Sequence, residues 1–247
     1  IAPHLSTGGM PQYLYKEMES INNDFDVYCI EWDDITGGQL VIQRNRIQKL
    51  LGNKLITLGE NKYKLFDYIN EIKPDIIHLQ EIPEHFIPYD VAKRLYLENR
   101  PYIIIETSHD SSGDPNKKLF FPDKFMFVSK WQIEQYKSLE IPSVLVEYPI
   151  EYVTRTKTRE ELLKSLNLDP NKKHIINVGL FTPRKNQAEV IEYARMLENY
   201  PIQFHFIGNQ ADNFKYYWEP LMKNFPKNCK WWGERNDVEN FYQMADL

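Results

Sequence analysis

At 247 residues, with 42% hydrophobic and 14% aromatic content, the chain has material for one large core or two ordinary ones and is not a disordered polymer. A formal net charge of −5 without a long basic stripe argues against a nucleic-acid partner. Cys29 and Cys229 stand in different halves, which suits reduced packing thiols and excludes a disulfide framework. No apolar run approaches the roughly 20 residues of a membrane span, and no signal peptide is visible.

In chain order, Ile1-Ala2-Pro3 reads as the last residues of a strand whose beginning is missing. "HLSTGGMPQYLYKEME" follows. Met10, Leu14, Glu17/Met18 and Ile21 recur three or four apart, which predicts a helix. Pro11 suits its first turn, and Ser6 and Thr7 are candidate caps. Gly8 and Gly9 allow two readings: a plain strand-to-helix turn, or a loop that aims backbone N–H groups at an anion. Neither G-x-G-x-x-G nor G-x-x-x-x-G-K-[ST] is present.

Strands are predicted over 26–30, 40–43, 54–58, 75–80, 102–107, 124–128 and 143–147, then over 174–178, 203–207 and 228–232. Helices are predicted near 62–72, 89–99, 130–138, 159–166, 187–198, 213–225 and 237–245. "IIHL" and "YIII" are continuous apolar runs, as in parallel strands covered on both faces. The alternation predicts an α/β chain of two Rossmann-like domains, 1–150 and 151–247, separated by the polar stretch "EYVTRTKTREELLKSLNLDPNKKH". The second domain reads as incomplete, with "MADL" entering another strand. A single (β/α)₈ barrel, usual near 250 residues, is the rival architecture.

Four stretches carry candidate chemistry. "IIETSHDSSGD" places His109 and Asp110 just past the carboxyl end of a strand, where open α/β sheets bind ligands. His109 could donate to a sugar hydroxyl or phosphate, shuttle a proton, or be an ordinary loop histidine; residues 111–115 read as a mobile loop. "HIINVGLFTPRKNQAEVIEYA" puts Arg184 and Lys185 at a helix start beyond a strand. Cations prefer the other helix end, so two here suit a shared anion, unless they are simply solvated. "FHFIGNQ" ends a strand at Gly208, with Asn209 and Gln210 beside it. "CKWWGERNDVENFYQMADL" supplies Trp231 and Trp232, read as packing, then Glu234 and Arg235. "EIPEHF" lacks zinc-site spacing and reads as loop, so no metal site is predicted.

Taken in order, "STGGMPQYLYKEME", "KPDIIHLQE", "TSHD", "FMFVSKWQIEQY", "VLVEYPIE", "IINVGLFTPRKNQAEVIEYARML", "FHFIGNQ" and "WWGERNDVENFYQMADL" resemble the retaining glycosyltransferases of family 4, of GT-B fold. The resemblance covers nearly the whole chain. It implies an N-terminal acceptor-side domain facing a C-terminal domain that binds a nucleotide-sugar donor. It implies that Gly8 and Gly9 close on the donor phosphate, that His109 lies near the transferring sugar, and that Lys185 contacts the diphosphate. Arg184 and Asn209 join the donor site, and Glu234 and Arg235 are candidate contacts to the base. The acceptor implied is a glycan, a lipid-linked sugar or another small molecule. No cofactor and no obligatory metal are implied, and no covalent enzyme intermediate is expected. The setting implied is cytoplasmic, with peripheral contact at the inner membrane surface. Two features depart from the family. Leu180 stands where an arginine usually follows the glycine, and "YPIE" replaces a common "PNG". The family's paired glutamates would lie beyond residue 247, and the segment alone is expected to be an incompetent transferase. A nucleotide-sugar epimerase, a phosphorylase of the same fold, and a non-catalytic relative are the alternatives.

Overall fold

In the structure, a computed structural model, the described residues are 1–6, 8–33, 42–150, 154–210 and 212–247. Strands β1 (Cys29–Glu31) and β2 (Leu55–Thr57) pair in parallel, as do β3 (Ile76–Leu79), β4 (Ile103–Ser108), β5 (Lys124–Phe127) and β6 (Ser143–Leu145), in that order. The backbone of residues 1–3 joins the two sets. Ala2 bonds β1 through Ala2 N to Ile30 O (2.9 Å) and Trp32 N to Ala2 O (2.8 Å). On the other side Gln80 N donates to Ile1 O at 2.9 Å. The spatial order is therefore β2, β1, residues 1–3, β3, β4, β5, β6. It reverses beside residues 1–3, and open α/β sheets bind ligands past the carboxyl ends of the strands at such a reversal, which marks this crevice as the candidate position.

At β1 both faces of this sheet are covered. Alternation sends Cys29 into one cluster with Leu14, Met18, Ile47 and Leu51, from helices α1 (Gly9–Ile21) and α2 (Ile42–Leu51). Ile30 and Trp32 join the opposite cluster with Leu65 and Phe66 of α3 (Lys64–Ile72) and Val91, Ala92 and Leu95 of α4 (Tyr89–Leu95). The predicted strand over 40–43 is corrected: Ile42 and Gln43 open α2, and positions 40 and 41 lie outside the described residues. The reason is a stripe with a four-residue period. Gln43, Ile47 and Leu51 are all buried, and that stripe outweighs the local β-branched pair. α5 (Lys130–Tyr136) starts at Ser129, whose hydroxyl accepts from Gln132 N.

The contacts divide the chain into two compact units, Ile1–Ile150 and Glu151–Leu247. In the second, β7 (Lys173–Val178), β8 (Ile202–Ile207) and β9 (Cys229–Trp231) form a parallel sheet in that order. Residues 246 and 247 bond the other edge of β7: Asp246 N donates to His174 O and Ile176 N to Leu247 O, each at 2.8 Å. One face is covered by α6 (Arg159–Ser165) and α9 (Val238–Met244) through Leu162, Leu163, Phe241 and Met244. Ile191 and Ala194 of α7 (Gln187–Met196), with Trp218 and Leu221 of α8 (Lys215–Lys223), cover the other. α6 opens with a complete capping box between Thr158 and Glu161. Two open parallel sheets exclude the closed barrel. Among the described residues no helix is long and apolar enough to cross a membrane.

The second sheet buries a histidine pair. Trp232 Nε1 donates to His205 Nδ1 (3.0 Å), so the His205 proton sits on Nε2 and is shared with His174 Nδ1 (2.9 Å). His174 Nε2 then donates to Asp169 O (2.9 Å), and a further proton on the pair has no acceptor. Burial, then the neighbouring His174 and Lys230, push His205 down from 6.5 to about 3; burial also lowers His174. Below pH 6.5 the unfolded chain takes up protons that the folded pair refuses. The contribution of His205 is therefore complete above pH 6.5 and falls toward pH 3, by up to about 1.4 kcal/mol per pH unit, and the lowered His174 acts in the same direction. Urea midpoints compared at about pH 7 and about pH 5.5 are expected to drop in the parent and drop less in His205→Phe. An equal drop in both would refute the assignment.

Candidate functional site

The first unit gathers candidate groups at its crevice. Gly8 is the N-cap of α1, with φ 140°, a conformation glycine adopts without strain, and it presents no side chain to the first turn. The expected cap from Ser6 is not formed: its Oγ meets His4 Nδ1 at 2.9 Å, and Thr7 lies outside the described residues. A Cβ on Gly9 would sit 3.4 Å from Tyr148 Cε1, so the Tyr148 ring lies against this glycine. Pro11 occupies the first turn of α1.

His109 follows β4 and faces the same ring. Tyr148 Oη lies 2.7 Å from His109 Nδ1, and Gln80 Oε1 lies 3.1 Å from His109 Nε2. Tyr13 packs edge-on against both rings, with centroids 5.0 and 5.2 Å away. Gln80, 1% exposed, has its amide direction set by Glu17, whose Oε2 accepts from Gln80 Nε2 at 2.7 Å. Glu17 Oε1 meets His78 Nδ1 at 3.1 Å, and His78 Nε2 meets Thr107 Oγ1 at 2.7 Å. Burial would raise the Glu17 carboxyl, but the hydrogen bonds from His78 and Gln80 outweigh it and hold it below the usual range.

The tautomer of His109 follows from this chain of bonds. Gln80 Oε1 can only accept, so Nε2 carries the proton; Nδ1 is the acceptor and takes the Tyr148 hydroxyl proton. The expectation that His109 donates to a ligand is thus revised, because its one N–H is engaged by Gln80. Burial, then His78, push His109 down from 6.5 to about 4, which makes it a weak proton shuttle near neutrality.

The loop beyond His109, expected to be mobile, is tied down. Gln132 Nε2 donates to Ser108 O (2.9 Å) and Asp110 O (3.3 Å). Ser112 N bonds Asp110 Oδ1 at 2.8 Å, and Asn116 N bonds Asp114 Oδ1 at 3.0 Å. Glu81 holds the near end, accepting from Ser108 Oγ (3.1 Å) and His109 N (3.2 Å). Gln80, Glu17, Glu81 and Tyr148 escaped the sequence reading. Their one signal was "QE" directly past the strand "IIHL", where chain leaves the sheet at its ligand-binding edge.

In the second unit the loops past β7, β8 and β9 are lashed together. Gly179 N donates to Ile207 O (2.9 Å), Phe181 N to Asn209 O (3.0 Å) and Gly208 N to Gly233 O (2.8 Å). Asn209 is bonded twice to Glu234: its Nδ2 donates to Oε2 (2.9 Å) and its Oδ1 accepts from Glu234 N (3.1 Å). Arg235 grips Asp237 through two bonds of 2.8 Å, so its guanidinium is engaged within its own loop. Trp231, 40% exposed, packs edge-on against Trp218 and donates to Gly208 O (2.8 Å), while Trp232 packs on Phe241 and donates to His205.

Arg184 and Lys185 end a short turn, Pro183–Lys185, and Asn186 (φ 51°) swings the chain into α7. Gln187 shapes this loop from inside, donating to Leu180 O (3.0 Å) and accepting from Thr182 N (3.3 Å). A Cβ on Gly179 would lie 3.5 Å from Lys185 Cγ and Cδ, so the lysine stem crosses the glycine at the carboxyl end of β7. Both cations are exposed, and the Lys185 ammonium has no carboxylate partner among the described residues. The two halves of the predicted site thus fall in separate units: Gly8, Gly9 and His109 in one, Arg184, Lys185, Asn209, Glu234 and Arg235 in the other. Among the described residues no group of three or more His, Cys, Asp or Glu is placed to hold a metal ion.

Residues 158–247 match the family model described as glycosyl transferases group 1. No curated protein matches the chain. Among solved structures it is similar to Anabaena Alr3699/HepE in complex with UDP (TM-score 0.75, 11% identity, 100% of this chain and 71% of that one). It is similar to a glycosyltransferase from Rickettsia africae ESF-5 (TM-score 0.64, 14% identity, 100% of this chain and 70% of that one). It is also similar to the apo form of the lipopolysaccharide outer core galactosyltransferase WaaB (TM-score 0.60, 15% identity, 98% of this chain and 69% of that one). The chain therefore has the mixed α/β, Rossmann-like parallel-sheet fold of GT-B glycosyltransferases, and its second unit carries the glycosyl transferases group 1 match.

Proposed function

We propose that the chain is a glycosyltransferase that moves a hexosyl unit from a nucleotide-sugar donor to an acceptor with retention at the anomeric carbon. One observation carries this reading: a lysine with no carboxylate partner among the described residues, laid across a glycine at the carboxyl end of β7, directly before α7. A diphosphate there meets the Lys185 ammonium, the Arg184 guanidinium and the positive end of α7 together. The family match over 158–247 and the likeness to a protein solved with UDP, and again with UDP-glucose, support a nucleotide-sugar donor. In this reading the cations stabilise charge that grows on the leaving diphosphate. Asn209 and Glu234 shape the donor pocket, Arg235 borders its base, and Gly8 and Gly9 let the donor approach the backbone of α1. His109 acts at the sugar. The acceptor is a glycan, lipid-linked sugar or other small molecule, reached from the cytoplasmic side.

Lys185→Ala is expected to weaken nucleoside diphosphate binding by about 1.5–3 kcal/mol, roughly 10- to 150-fold, the worth of a hydrogen bond to a charged group. Calorimetric titration of the parent and variant with UDP measures this, and equal affinities would reject the placement. Leu180 favours a second reading, a nucleotide-sugar binder without turnover, because no cation stands beside Gly179 at that position. Binding of UDP-glucose without release of UDP would select it.

A further inference from the structure

Within the reading of His109 as a sugar-facing residue, we propose that Gln80 is a positioning residue that locks His109 in its Nε2–H tautomer. The ring then offers its Nδ1 lone pair to a ligand hydroxyl, whose place the Tyr148 hydroxyl takes here. The observations form one chain within the first unit. Glu17 accepts from Gln80 Nε2 (2.7 Å), which turns the Gln80 oxygen toward His109 Nε2 (3.1 Å), and Tyr148 Oη closes on Nδ1 (2.7 Å). Gln80 is buried, at 1% exposure, so it cannot swing its amide into water, and reversing it would set its oxygen against the Glu17 carboxylate. Tyr148, in contrast, is 37% exposed and sits on an irregular segment between β6 and the end of the unit. Its departure gives up the hydrogen bond to His109 and the edge contact with Tyr13, which an entering hydroxyl and sugar ring replace. Its ring lies against Gly9, so the volume it vacates is bounded by the glycine loop and His109 together. A sugar hydroxyl entering there donates to Nδ1 as Tyr148 does. The chemical class that fits is therefore a neutral polyol, not an anion, since an anion brings no proton to an acceptor nitrogen.

The test is nitrogen NMR on protein labelled at its six histidines, with His109 assigned by the signal lost in His109→Gln. The parent is expected to show a protonated Nε2 and an unprotonated, hydrogen-bonded Nδ1 for this ring. Gln80→Leu should lose that preference and mix tautomers while remaining folded by circular dichroism. Gln80→Met, close to glutamine in shape and without its amide oxygen, should mix tautomers in the same way and serves if the leucine variant fails to fold. A parent ring protonated on Nδ1, or Nε2–H unchanged in folded Gln80→Leu, would overturn the proposal. Tyr148→Phe should shift Nδ1 toward its unbonded position and tighten UDP-glucose binding about two- to tenfold, the worth of one neutral hydrogen bond no longer displaced. Unchanged or weaker binding would overturn the placeholder role. If neither UDP nor UDP-glucose binds the parent while the tautomer result holds, the transferase reading fails and the positioning role of Gln80 stands.

Discussion

In the full-length protein His109→Ala is expected to lower turnover of the nucleotide sugar by about a hundredfold or more, the usual cost of deleting one preorganised polar group at a reacting centre. The ring is held from three sides, by Gln80, Tyr148 and Tyr13, and this orientation has no use in the packing of the sheet, whose core lies elsewhere. Its loss leaves the Gln80 oxygen without its donor and exposes part of Tyr13. We therefore expect a stability cost of about 1 kcal/mol, or a melting temperature lower by about 2–4 °C. Steady-state turnover corrected for folded fraction separates the two effects. A variant that melts far below the parent with turnover per folded molecule preserved would make His109 structural. The pH profile adds a sign. His109 is cationic only below about 4, so activity should show no acid limb near 6.5 from this residue.

The second large effect is on the fold of the donor-side unit. Gly208→Ala is expected to destabilise the protein by about 2–5 kcal/mol, from backbone strain and overpacking together. The Cβ would stand 2.1 Å from the Gly179 oxygen and 2.7 Å from its carbonyl carbon, and φ at this position is +140°. Backbone cannot yield as a flexible side chain can. The strand ends of β7 and β8 would have to part, breaking the bond from Gly179 N to Ile207 O. Because Lys185 lies across Gly179, UDP affinity should fall with stability. Gly52→Ala is the control: φ is also positive there, at +59°, yet nothing lies within 4 Å, and the cost should be near 1 kcal/mol. Urea unfolding measures both. Equal midpoints for Gly208→Ala and the parent would contradict the packing described.

Local pattern carried much of the architecture. "IIHL" and "YIII" form β3 and β4 as read, but not as strands covered on both faces: Ile77, Leu79 and Ile104 enter the core, while Ile76 and Ile103 are 45% and 47% exposed. α2 escaped because its buried stripe runs through Gln43, a polar residue, and is diluted by Arg44, Arg46 and Lys49. His109, Arg184 and Lys185 were legible as candidates since each directly follows a strand's carboxyl end or precedes a helix. Gln80, Glu17 and Tyr148 were not. They lie on a strand exit, a helix and an irregular segment far apart in sequence, and only parallel pairing of β3 with β4 and the passage of residues 1–3 beside β3 bring them to one ring. Arg235 read as a candidate base contact, and the ion pair that holds it to Asp237, two residues on, was not read.

Nucleoside diphosphate released by the full-length protein from a panel of nucleotide sugars, with and without candidate acceptors, tests sugar transfer most directly. Release from at least one sugar donor is expected, with proton NMR of the first-formed product showing the donor's own anomeric configuration, and Lys185→Ala and His109→Ala should both suppress it. No release from any donor by folded protein, or a product of inverted configuration, would contradict the proposed reaction.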